Sequence, residues 1–83
     1  MKNISAENQA IDFFIKRGEY AADLAEQHCR NMEFDKGVDL FKQAYGFLKK
    51  AENERPEDES IKSKIILVKQ KYQEAKKNLE AQT

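Results

Sequence analysis

Apolar residues recur at spacings of three and four through three separate stretches of this chain, and that pattern constrains its fold more than any other feature. At 3.6 residues per turn such spacing gathers side chains onto one helix face, whereas a strand needs a period of two. Ile11, Phe14, Gly18, Ala21, Ala25, His28 and Met32 form the first stripe. Phe34, Gly37, Phe41, Ala44, Leu48 and Ala51 form the second, and Ile61, Ile65, Val68, Tyr72, Ala75 and Leu79 the third. The stripes predict helices at about 6–31, 34–53 and 56–80. Connections this short make consecutive helices antiparallel neighbours. The expected fold is therefore all-α, an antiparallel up-down-up three-helix bundle, with residues 1–83 as a single domain.

Local signals refine the boundaries. Ser5 is a suitable N-cap for the first helix, although Asn8 stands where a capping box wants Glu or Gln. A tight turn is expected at Asn31 to Glu33. Pro56 suits the first position of the third helix, and Glu57, Asp58 and Glu59 oppose the positive end of its dipole. Gly37 lies on the second stripe, where close packing would explain it; Gly46 has no comparable reason.

The stripes differ in width. Ile15, Ala22 and Cys29 broaden the first, with Phe13, Tyr20 and Leu24 on another flank. Val38, Leu40, Tyr45 and Phe47 broaden the second on both sides. The third is narrow: only Ile66 and Leu67 depart from it, and Lys62, Lys64, Lys69, Lys71, Lys76 and Lys77 flank it. The third helix is thus expected to be the outer wall of the bundle. Its groove with the second helix is the place to look for a ligand.

Few chemical functions remain open. Fifteen basic and fifteen acidic side chains cancel, so no overall field draws the chain to nucleic acid. The one aromatic of the lysine-bearing third helix, Tyr72, belongs to its apolar stripe rather than to a stacking surface. Cys29 is the only cysteine, which excludes an internal disulfide and fits a reducing, cytoplasmic setting. The longest apolar run, Ile65 to Val68, is far too short for membrane insertion. His28 and Cys29 are adjacent, and neighbouring helix residues diverge by about 100°, so they do not make a nucleophile–base pair. Together they are half of the usual ligand set for zinc. Calcium loops, phosphate-binding glycine loops and serine elbows are absent, since the three glycines stand singly. The reading is a non-catalytic chain with no catalytic, cofactor-binding or metal-binding residues and no cofactor.

Ala25, Phe34, Phe41 and Ala44 place a small residue, two aromatics and an alanine as tetratricopeptide-type hairpins do. No second repeat follows; one more helix does. Hairpin plus third helix resembles the MIT domain, the microtubule-interacting and trafficking module. Phe34 to Ala44 is similar to the opening of that family's second helix, with Gly37 where alanine is usual. Glu59 to Lys64 resembles the start of its third helix, and Gln9 to Asp12 that of its first. The first and third helices are a few residues long for the family.

This resemblance implies an adaptor that binds an amphipathic helical or tail peptide, of the kind carried by ESCRT-III-type proteins in membrane trafficking. The peptide would lie between the second and third helices. Tyr45, Leu48, Ile65 and Val68 would floor that groove, with Lys62, Lys64 and Lys69 at its rim. The partner would be a protein or peptide, with neither nucleic acid nor membrane insertion involved. The alternative is a small structural subunit or chaperone that buries an apolar helix flank in an obligate partner or a second copy. Phe13, Tyr20, Leu24, Ile66 and Leu67, hard to cover in a monomer, motivate it.

Overall fold

A computed structural model describes residues 4–82, with side chains described from residue 9 onward. Three α-helices account for nearly all of them: α1 Ile4–Arg30, α2 Phe34–Glu54 and α3 Glu59–Gln82. They run up, down and up, as the three stripes require. Each stripe contributes to one buried cluster, from Ile11, Ala21 and Ala25 of α1 through Phe41, Ala44 and Leu48 of α2 to Ile61, Ile65 and Val68 of α3. No polar or charged residue among those described is buried. The cohesion of the core therefore comes from apolar burial alone.

α2 is the central helix. It packs closely against α1 and α3, whereas the backbones of α1 and α3 hardly approach one another. Small residues make the α1–α2 approach possible. A Cβ at Gly18 would stand 2.8 Å from Leu48 Cγ and 3.3 Å from the Ala44 carbonyl oxygen. A Cβ at Gly37 would collide with Cys29 Sγ and stand 3.3 Å from the Ala25 carbonyl oxygen. Both glycines thus sit where a side chain would hold the helices apart. Nothing in the structure explains Gly46, which is exposed with open space where a Cβ would go.

Helix ends depart from the sequence expectations in three places. α1 stops at Arg30, and Met32 turns into the left-handed region at φ 63°. The Glu33 N–H then donates to the His28 carbonyl at 2.8 Å and the Met32 N–H to the Cys29 carbonyl at 2.9 Å. That pairing is a helix end normally built on glycine, and a β-carbon there costs about 1 kcal/mol. Met32 consequently leaves the α1 stripe and is 65% exposed. At the other end, α1 already includes Ile4, so Ser5 lies inside its first turn rather than ahead of it. The side chains of Ser5 and Asn8 fall outside those described.

Pro56 is not the start of α3. The Asp58 N–H donates to the Arg55 carbonyl at 3.1 Å, so Pro56 occupies the second position of a β-turn, where its fixed φ is equally at home. α3 begins at Glu59, and Asp58 Oδ1 caps it by accepting the Ile61 N–H at 3.2 Å. The acidic cluster therefore divides its work: Glu57 belongs to the turn, Asp58 is the cap, and Glu59 opens the first turn.

Candidate functional site

Two grooves flank α3, and their chemistry differs. Between α2 and α3 lies a depression of about 300 Å³. Phe41 floors it; the half-buried rings of Tyr45 and Tyr72 and the stems of Lys42, Lys69 and Gln73 wall it. Helical spacing assembles this site, because Phe41 and Tyr45 are four apart on α2 while Lys69, Tyr72 and Gln73 are three and four apart on α3. Neither Lys42 nor Lys69 makes an ion pair among the described residues. Lys49 lies over the Tyr45 ring at 6.0 Å but is neutralised by Glu52 at 2.7 Å. That hydrogen bond, and then the charge of Glu52, raises the Lys49 pKa. The groove is thus an aromatic trough with two uncompensated positive charges on opposite walls.

Between α1 and α3 the arrangement is reversed. Lys64 Nζ reaches Glu19 Oε2 at 2.9 Å, and Lys71 bonds Glu26 one heptad along each helix. The ion pairs span a shallow channel lined by Gly18, Ala22, Leu48, Val68 and the half-exposed Leu67. Its lysines already have carboxylates. Gln82 Nε2 adds a bond to the Met32 carbonyl at 3.1 Å, so the C-terminal end of α3 is tied to the α1–α2 turn.

Of the seven residues that the sequence assigned to a peptide groove, the structure brings two, Tyr45 and Lys69, to the α2–α3 trough. Leu48, Ile65 and Val68 belong to the buried core and do not line the trough; Leu48 and Val68 border the α1–α3 channel instead. Lys64 points to the α1 side, and Lys62 pairs weakly with Glu59 at 3.9 Å. Phe41, Lys42, Tyr72 and Gln73 were not anticipated as lining. The signal for two of them was present: Tyr72 is the only aromatic on α3, and Lys42 lies beside Tyr45 at helical spacing on the α3 side of α2.

His28 is half-buried at the end of α1, where its Nδ1 bonds Glu33 Oε1 at 2.7 Å. That bond, and then the charge of Lys36, holds the Glu33 carboxyl below its ordinary value. Cys29 is half-buried against Gly37; burial, then the charges of Glu26 and Glu74, push its thiol up. Cys29 packs against the core, and His28 joins the end of α1 to Glu33. Among the described residues no group of three or more His, Cys, Asp or Glu side chains could hold a metal ion. No described helix is long and apolar enough to cross a membrane.

Compared with known proteins, the chain matches no family model, no curated protein and no solved structure.

Proposed function

We propose that this chain is a non-catalytic interaction module whose α2–α3 groove receives an acidic amphipathic helix or tail of another protein. One observation carries the reading: Phe41, Tyr45 and Tyr72 form an apolar trough flanked by Lys42 and Lys69, neither of which has a carboxylate partner among the described residues. A helix laid in such a groove would seat apolar anchors at spacings of three and four between the rings. Its acidic residues would meet the two lysines, which would fix its orientation and add to its affinity. The resemblance to MIT domains points the same way and names a candidate partner class, the tails of ESCRT-III-type proteins in membrane trafficking. A cytoplasmic adaptor is the role that fits.

Titration of the isotope-labelled chain with acidic amphipathic helical peptides tests this. Amide shifts concentrated around Lys42, Tyr45, Lys69 and Tyr72 are expected. Their absence at about millimolar peptide, a free energy of only about −4 kcal/mol, would sink the proposal.

The second reading, a subunit that buries an apolar flank in an obligate partner or homodimer, has one observation in its favour. Phe13 and Tyr20 are each 56% exposed, Ile66 57% and Leu67 51%. These residues point in different directions, however: Phe13 and Tyr20 lie on α1, Leu67 turns toward the α1–α3 channel, and Ile66 lines neither groove. Dispersed exposure supports an obligate interface less well than one continuous patch would. Light scattering showing a dimer at all accessible concentrations would reverse this ranking.

A further inference from the structure

α1 and α2 share a second surface, whose residues line neither groove beside α3. Phe13 and Tyr20 stand exposed on it, and Phe14 and Phe47 are half-buried beneath. Arg17 lies over the Tyr20 ring at 5.8 Å and the Phe47 ring at 5.5 Å, bridging the two helices. Lys50 does the same from α2, at 5.6 Å from the Phe14 ring and 5.9 Å from that of Phe47. Neither cation has an ion-pair partner among the described residues.

We propose that this face is a second docking surface, for a segment of another protein that presents carboxylates beside apolar side chains. Two positive charges with no carboxylate partner among the described residues, set among four rings, are the complement of such a segment. A guanidinium lying on a ring keeps its edge N–H donors for a planar carboxylate. Arginine and aromatic residues are also the anchors that protein interfaces enrich. Other anionic occupants fit less well. Base stacking needs open ring faces, and the cations already cover faces of Phe14, Tyr20 and Phe47. A net charge of zero provides no long-range pull toward a polyanion or an anionic membrane.

α2 supplies residues to both surfaces, Lys42 and Tyr45 on one flank and Phe47 and Lys50 on the other. The two surfaces can therefore be filled together, which makes the molecule a bridge between two partner segments rather than a single receptor.

The test uses the whole 83-residue chain and a synthetic helix of alternating leucine and glutamate faces, followed by NMR. Two separate sets of shifts are expected, one around residues 42, 45, 69 and 72 and one around 13, 17, 20, 47 and 50. Phe13→Ser with Tyr20→Ser alters side chains that are mostly exposed, so the helices persist, as circular dichroism would verify. That variant should lose about tenfold in affinity or more at the second set only. Tyr45→Ala with Lys69→Gln should do the reverse. Loss of the first set with retention of the second would remove the groove proposal and leave this one standing. Shifts confined to the groove would overturn it. So would a response at the second set that oligothymidylate or anionic phosphatidylserine vesicles reproduce equally well, because charge alone would then account for it.

Discussion

α1 meets its two neighbours by opposite means. Against α2 it presents Gly18, Ala21 and Ala25, and the backbones come close enough that a single added methyl at Gly18 would strike Leu48. Against α3 it presents Glu19 and Glu26, whose carboxylates reach lysines across a channel that the backbones do not close. The first seam depends on shape and is intolerant of added volume. The second depends on ion pairs still largely open to solvent, each worth about 0–1 kcal/mol. The contrast assigns the jobs. The α1–α2 hairpin is the close-packed frame, and α3 is the wall. Its Lys64 and Lys71 are paired on the α1 side, while Lys69 on the α2 side has no ion pair among the described residues.

The strongest way to break this comparison is to add volume to the tight seam. Gly18→Val should destabilise the fold by about 2–3 kcal/mol in urea unfolding, because even its Cβ would meet the branch carbon of Leu48 at 2.8 Å and the Ala44 carbonyl oxygen at 3.3 Å. Gly37→Ala should cost less, since the atom in its way is the terminal Sγ of Cys29, which can rotate. Gly46→Ala is the internal control. With open space at its Cβ position it should gain about 1 kcal/mol from helix propensity alone. A loss at Gly46 comparable to that at Gly18 would mean that packing does not distinguish the two.

Next in size is the turn that joins the close-packed pair. Met32→Gly relieves a left-handed residue and should stabilise by about 0.5–1 kcal/mol, read as a higher denaturation midpoint. An unchanged midpoint would show that the turn carries no strain.

The ion-pair seam should respond more weakly. Lys64→Gln and Lys71→Gln should each cost no more than about 1 kcal/mol, and the difference should shrink further in high salt. A loss as large as that of Gly18→Val would erase the distinction between the seams.

Smallest is the acid response of Glu33. Its carboxyl is held below the ordinary 4.5 by His28 and Lys36, so its contribution is present above that value and is lost as the pH falls below it. Thermal unfolding should ease slightly below about pH 4.5, and Glu33→Gln should flatten that slope.

Much of the frame was legible because the stripes are long and regular. Three helices, their antiparallel order and most of the buried residues follow from spacing alone, and Gly37 was identified as a close-packing position. The misplaced ends have separate physical causes. Pro56 satisfies either a turn or a first helical position, and only the Asp58 cap decides between them. Met32 continues the apolar spacing of α1, yet the chain must reverse there and accepts an unfavourable φ to do so.

The candidate groove was less legible. Spacing shows which lysines flank the third stripe but not which neighbour each one faces, so Lys64 was placed with Lys69 although it turns to Glu19. Leu48, Ile65 and Val68 were assigned to a groove floor that Phe41, one turn before Tyr45 on α2, provides instead. The aromatic and cationic face of α1 and α2 was visible only as exposed apolar residues. Its character comes from rings and cations on two helices meeting in space.

The central claim concerns the free side of α3, and one comparison of affinities addresses it most directly. An acidic amphipathic helical peptide is titrated into the native chain, a Lys42→Gln/Lys69→Gln variant and a Lys64→Gln/Lys71→Gln variant, and groove affinity is read from the amide shifts around Tyr45 and Tyr72. If the α2–α3 trough is the docking site, the first variant weakens binding by about tenfold and the second leaves it nearly unchanged. Equal affinities for the first variant and the native chain, or a larger loss in the second, would contradict the claim.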